Sequence, residues 1–299
     1  MAELSEGLVI SHLGQGIAVE TQNGEIILCQ TLRKLETVTV GDRVLFSQVN
    51  AEQGRIEELL PRRSVLLRPS RNAKIRPVAA NIDKIYVVFA PEPYCDFLLI
   101  DQYLAICENS NVDAVLVFNK IDLPPGEMIE RELQTYQALG YELFRVSAAQ
   151  MLGIEELKQA LKNQISIFTG QSGVGKSSLT NALIPDKAVR TNTVSAITKH
   201  GRHTTTAATL YHLPESGDLI DSPGVAIFGL AEMTERQLAY GYKEFLPLLE
   251  QCYFNNCRHV KDKGCAVREA AEQGKISMAR YQRFLKLREK MPTANVGSL

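Results

Sequence analysis

No stretch of this 299-residue sequence approaches the ~20 consecutive apolar residues that a membrane-spanning helix needs. The start, Met-Ala-Glu-Leu-Ser-Glu-Gly, has neither the basic residues nor the apolar core of a secretory leader. The expected location is therefore cytoplasmic, with no membrane partner. Charge of one sign is also missing. With 33 Lys and Arg against 34 Asp and Glu, the formal charge is -1, so the chain is not a uniformly basic nucleic-acid binder and any RNA contact must come from local patches. Cysteine is scarce, with six residues, too few for a disulfide framework at this length. There is no internal repeat and no long low-complexity tract. What remains is a hydrophobic content of 45% with 22% charge, the composition of a globular protein, at a length that favours two or three domains.

Short strand patterns fill the first sixty or so residues, at 8–11, 16–21, 25–30, 42–46 and 55–60. Asn23-Gly24 marks a hairpin between the second and third, because both residues tolerate positive φ. Five such strands suit a small closed barrel, either OB-like or SH3-like. Between positions 62 and 84 seven basic residues (Arg62, Arg63, Arg68, Arg71, Lys74, Arg76, Lys84) face one acid, Asp83. This strip reads either as a solvated linker or as a phosphate-contacting segment beside the barrel. Beyond Asn81, strands at 82–90, 112–118, 142–147 and 165–169 alternate with helices at 97–107, 127–139 and 154–161. That alternation predicts a mainly parallel α/β sheet with helices on both faces and function at the carboxyl ends of its strands. From Ala231 onward the pattern is helical, so the expected division is a barrel at 1–68, an α/β domain at 69–230 and a helical domain at 231–299.

Gly170-Gln171-Ser172-Gly173-Val174-Gly175-Lys176-Ser177-Ser178 fits the phosphate-loop pattern G-x-x-x-x-G-K-S/T between a strand and a helix. Its glycines let backbone N–H groups turn toward a phosphate at a helix N-terminus. Lys176 would reach the β- and γ-phosphates, and the Ser177 hydroxyl would ligate Mg²⁺. Asn119-Lys120-Ile121-Asp122 follows the strand 112–118. A carboxylate at Asp122 can accept both guanine N1–H and the 2-amino group, a donor pair that adenine lacks. Asn119 would tie this loop to the phosphate loop, and the Lys120 stem would cover the base. Ser147-Ala148-Ala149 fits the loop whose backbone approaches guanine O6. Asp221-Ser222-Pro223-Gly224 fits D-x-x-G, with Asp221 holding Mg²⁺ through water and the Gly224 N–H sensing the γ-phosphate. Within Arg202-His203-Thr204-Thr205-Thr206, one threonine is expected to close over Mg²⁺. Together these motifs point to GTP and GDP as ligands, with Mg²⁺ bound alongside.

Where Ras-like enzymes place a water-orienting glutamine after D-x-x-G, this chain has Val225, which has no hydrogen-bonding side chain. His203 is the local candidate for that task, with Lys176, Thr205 and Gly224 completing the catalytic set; a switch-loop histidine with another role is the alternative. Cys252-x4-Cys257-x-His259-x5-Cys265 supplies three thiolates and an imidazole, a closed tetrahedral set for one structural Zn²⁺. Cys29, Cys95 and Cys107 read as packing residues. From 252 to 299 ten basic residues outnumber four acids. Arg280, Arg283, Lys286 and Lys290 recur at helical spacing beside an apolar stripe of Met278, Tyr281 and Leu285. The basic stripe reads as a solvated face or, given its local surplus, as an RNA contact.

The order of these motifs is permuted, because N-K-x-D precedes the phosphate loop. With the N-terminal barrel and the C-terminal cysteine cluster, the whole chain resembles the RsgA (YjeQ) family of small-ribosomal-subunit biogenesis GTPases. The resemblance implies an OB-fold domain, a circularly permuted GTPase domain and a zinc domain. It also implies that the chain, expected to be a monomer, binds the 30S ribosomal subunit and its 16S rRNA late in maturation, with the ribosome stimulating hydrolysis. A GTP-dependent RNA-binding assembly scaffold with negligible turnover is the alternative function.

Overall fold

The computed structural model describes residues 4–13, 15–32, 34–69, 75–110, 112–184, 208–221 and 233–291. Strands β1 (Leu4–Leu13), β2 (Gly16–Thr21), β3 (Ile26–Thr31), β4 (Arg43–Gln48) and β5 (Gln53–Leu59) form the barrel. Alternation puts Val9, Val19, Ile27, Val44, Phe46 and Ile56 inside it. Antiparallel β1–β2–β3 is followed by a parallel β3–β5 pairing, and β4 closes back on β1. This 1-2-3-5-4-1 closure is the OB arrangement, which selects between the two barrels the strand pattern allowed.

The basic strip is not a solvated linker. It carries a hairpin, β6 (Val65–Pro69) with β7 (Ile75–Ala80), that bridges to the barrel at Val40–Ala79. Arg62 forks onto the buried Asp42 (Nε–Oδ1 2.7 Å, Nη2–Oδ2 2.8 Å), and Arg63 binds Asp83 at 2.7 Å. Arg62 is therefore committed to a buried partner, whereas Arg63 makes its pair at the surface. Arg71 and Lys74 lie outside the described residues.

Six strands continue the sheet in the order β10-β9-β8-β11-β13-β12. They are β8 (Lys84–Phe89), β9 (Asp113–Phe118), β10 (Glu142–Arg145), β11 (Ile165–Thr169), β12 (Thr209–His212) and β13 (Asp218–Asp221), all parallel except β12. Both faces are covered, which is why β8 and β9 are near-continuous apolar runs. Ile85, Val87 and Leu116 pack under α1 (Phe97–Glu108) and α2 (Glu127–Ala138), whereas Tyr86, Val88 and Val117 pack under α3 (Ile154–Ala160) and α4 (Lys176–Leu183). The sheet grows outward from β8 through β9 to β10, then returns to place β11 on the other side of β8. That reversal opens a crevice at the carboxyl ends of β8 and β11.

The C-terminal part contains α5 (Glu235–Tyr240), α6 (Leu246–Leu249), α7 (Ala266–Glu272) and α8 (Met278–Glu289) around Leu238, Tyr242, Phe245, Tyr281, Phe284 and Leu287. The basic stripe expected on α8 is broken in the folded chain. Arg280 is 1% exposed and Arg283 also turns inward; both bind Asp101 of α1, and they pair with Glu244 and Glu132 respectively. Only Lys286 and Lys290 of the stripe stay exposed. Helical spacing alone points to a solvent face here, because an arginine is polar in sequence whether it is solvated or buried against carboxylates. None of the described helices is long and apolar enough to cross a membrane.

Candidate functional site

Among the described residues, the segments 119–122, 147–149 and 170–178 and Asp221 come together at the crevice. The phosphate loop leaves β11 and enters α4. Gly170 has φ +133° and Gly175 φ +96°. A Cβ on the first would collide with the Val88 carbonyl and on the second with the Asn119 side chain, so close approach of neighbouring strand ends dictates glycine at both. Lys176 folds over its own loop, donating to the Gly170 and Gln171 carbonyls at 2.7 Å each. Burial lowers its pKa, which the nearby Asp221 carboxylate partly offsets. An arriving phosphate would trade those two carbonyls for a full anion.

Asn119 immediately follows β9 and is 2% exposed. Its Nδ2 donates to the Val174 carbonyl at 2.8 Å, and its Oδ1 accepts from Ala148 N–H at 3.1 Å. One buried side chain thus clamps the phosphate loop to the loop after β10, through two bonds worth about 1 kcal/mol each. Lys120, at φ +63°, sends Nζ to the carbonyls of Gly173 (2.8 Å) and Glu92 (3.1 Å). The Ser147 hydroxyl donates to Asp122 Oδ1 at 2.5 Å and accepts from Gln150 N–H at 3.1 Å. This orients the Asp122 carboxylate, so the Ser147-Ala148-Ala149 triplet is bonded to the 119–122 loop as well as lying beside it. Asp221 stands at the end of β13, beside β11.

Sequence reasoning missed the segment between β8 and α1. Pro93 packs within 3.4 Å of where a Gly173 Cβ would be, and Glu92 receives Lys120. Its only sequence signal is the pair Pro91 and Pro93. Arg202, His203, Thr204, Thr205, Thr206, Ser222, Pro223, Gly224 and Val225 lie outside the described residues.

A family model described as RsgA GTPase matches residues 59–231. The small ribosomal subunit biogenesis GTPase RsgA of Marinobacter nauticus is 44% identical, over 95% of this chain and 84% of that protein. The chain belongs to the RsgA GTPase family. It is accordingly a GTP hydrolase with a permuted motif order. The RsgA of Proteus mirabilis is 41% identical over 99% of this chain and 87% of its own length. Among solved structures, YjeQ from Thermotoga maritima superposes with TM-score 0.77 at 33% identity, covering 96% of this chain and 98% of that one. YloQ, described as a circularly permuted GTPase, shares the fold with TM-score 0.73 at 24% identity, covering 96% and 95%.

This RsgA-family chain carries a second cluster. The ligand atoms of Cys252, Cys257, His259 and Cys265 lie within 4.8 Å of one another. His259 Nδ1 is 3.6 Å from both Cys252 Sγ and Cys265 Sγ. Tetrahedral bonds of ordinary Zn–N and Zn–S length would set that edge at about 3.6 Å, so the donor set fits a metal ion. Without a cation it is the thiolate form that is unfavourable: burial pushes the Cys257 thiol up to about 12 and lowers the His259 pKa, which favours neutral groups. The His259 carbonyl accepts from Tyr281 Oη at 2.8 Å, which ties the cluster to α8.

Proposed function

We propose that this chain hydrolyses GTP while bound to the 30S ribosomal subunit and acts late in assembly of that subunit in the cytoplasm. Relatives over 40% identical along nearly the whole chain are named small ribosomal subunit biogenesis GTPases. The observation that carries the reading is the Asn119 clamp, which joins a guanine-type loop to a phosphate loop across a topological switch point.

In this reading Asp122 accepts the two guanine donors, with Asn119, Lys120 and Ile121 flanking the base and the backbone of Ser147 to Ala149 approaching guanine O6. Residues 170–178 cradle the phosphates. Lys176 leaves the Gly170 and Gln171 carbonyls for the β- and γ-phosphates and steadies the charge that develops on the leaving group. Ser177 and Asp221 hold Mg²⁺, with one of Thr204, Thr205 and Thr206. His203 orients the water in place of the missing glutamine, and the Gly224 N–H senses the γ-phosphate. Cys252, Cys257, His259 and Cys265 hold one Zn²⁺ that fastens the helical part; with all four positions taken by protein, it has no catalytic role. The barrel at 1–68 and the helical part at 231–299 flank the GTPase at 69–230, so both can meet 16S rRNA and report the nucleotide state.

GTP turnover measured with and without purified 30S subunits tests this. Stimulation is expected; no stimulation and no binding of the subunit in either nucleotide state would overturn it. His203→Ala should cut stimulated turnover by roughly 10²-fold or more while leaving GTP and 30S binding nearly intact. Unchanged stimulated turnover would remove His203 from the water's path.

A further inference from the structure

A cleft of about 640 Å³, lined by no residue of the phosphate loop, lies between α5 and the loop 254–259 of the metal cluster. Two of its lining aromatics are unusually open. Phe254 is 44% exposed and Tyr240 42%, and Tyr253 beside them is 77% exposed. The Arg236 guanidinium lies 5.6 Å from the Tyr240 ring centroid and reaches its hydroxyl at 3.4 Å. Asn255 and Asn256 follow on the same loop, exposed and with no side-chain partner among the described residues.

The charge of the cleft is set by what is already paired. Glu235 is bound by Arg258 at 2.7 Å and by Arg288 at 2.9 Å, which neutralises it. Glu250 remains at the rim. Lys261 and Lys263, both exposed, follow on the same loop. The lining itself balances Arg236 and Arg258 against Glu235 and Glu250, and the exposed Lys261 and Lys263 add positive charge next to it, whereas Arg280 and Arg283 are turned inward onto carboxylates.

Flat aromatic faces, consecutive free amides and guanidinium groups together match an unpaired nucleotide. A base can stack on a ring, an asparagine amide can bond a base edge in two places, and arginine or lysine can meet the phosphate. Duplex RNA hides its base faces and cannot use the rings. An aliphatic peptide would find no enclosed apolar pocket. Cys252 and Cys257 bracket residues 253–256, so a bound metal would hold this loop in shape.

We propose that this cleft binds a short unpaired stretch of RNA, with a base stacked against Phe254 and Tyr240. The proposal rests on reading the chain as a small-subunit GTPase and names where that partner's single-stranded RNA would be gripped.

The test uses the full, metal-loaded chain and fluorescein-labelled single-stranded RNA hexamers of each base, with a duplex of the same length as the comparison. Phe254→Ala should weaken single-strand binding by roughly 5- to 150-fold, the usual effect of losing one stacked base. Phe254→Tyr should retain it. Arg236→Ala should weaken binding and flatten its salt dependence. Metal content and basal GTP turnover should be those of the parent in all three. Parent-like affinity in both alanine variants would overturn the proposal, as would equal binding of single strand and duplex by the parent. Loss of 30S binding with parent-like hexamer binding would make the cleft a protein contact and overturn it too. If 30S subunits still stimulate the parent's turnover, any of these failures falls on the cleft alone; absent stimulation falls on the functional reading.

Discussion

The Asp101 cluster gives an ordering of effects that its charge count dictates. Two guanidinium groups, Arg280 and Arg283, share three carboxylates, Asp101, Glu132 and Glu244, all buried or nearly so. Tyr136 Oη also donates to Asp101 at 2.6 Å, and the Arg280 guanidinium lies 4.7 Å from the Tyr242 ring centroid. Asp101→Asn leaves two positive and two negative charges, each arginine keeping one carboxylate, and the amide oxygen can still accept. The expected cost is about 1–2 kcal/mol, one or two weakened bonds. Arg280→Met leaves three carboxylates around one arginine, and an uncompensated buried charge costs about 3–5 kcal/mol. The smaller change in side-chain polarity should therefore do less harm than the loss of one cation, although both touch the same bond. In the double variant one of the stranded carboxylates is gone, so its cost should fall below the sum of the singles by at least about 0.5 kcal/mol. Urea unfolding followed by far-ultraviolet circular dichroism and tyrosine fluorescence would measure this, the chain having no tryptophan. Asp101→Asn proving worse than Arg280→Met, or strict additivity, would refute the charge count.

Asp122→Asn should weaken GTP and GDP binding and improve binding of xanthosine nucleotides, which present a carbonyl where guanine has its 2-amino group; unchanged GTP affinity would remove Asp122 from the base site. His212 is held between Asp218 and Glu20 at 2.5 Å each, and these hydrogen bonds raise its pKa to about 10. Because the folded value lies above the ordinary 6.5, its contribution to the junction of barrel and sheet is complete below about pH 6.5 and is lost as pH rises toward 10. Stability of the parent should accordingly fall toward that of His212→Gln over this range, and a constant difference between them would contradict the assignment. Purified protein should carry about one zinc per chain, and chelation should loosen α7 and α8 before the sheet, as read by hydrogen exchange; metal-free protein with parent-like protection would sink the structural role.

The nucleotide motifs were legible in the sequence because each is a short local solution to one chemical problem. A glycine-rich turn ahead of a lysine, as at Gly170 to Lys176, and a carboxylate placed as at Asp122 can each be recognised whatever surrounds them. The same holds for Cys252, Cys257, His259 and Cys265, whose types and spacing already specify a closed metal set. The permuted order, too, is a property of the sequence alone. Only the tertiary structure decided between the two barrels, since OB and SH3 strands look alike until the β3–β5 and β1–β4 pairings are seen. It also turned the strip at 62–84 into a hairpin fixed by Arg62 and Arg63, because a basic residue's role depends on an acid about twenty positions away in each case. Arg280 shows the same physics at longer range. Its helical periodicity reads as a solvent face, and nothing local reveals Asp101, 179 residues earlier, waiting opposite it. Local chemistry is written in neighbouring residues, whereas the sign of a buried charge's contribution is set by partners that only folding brings together.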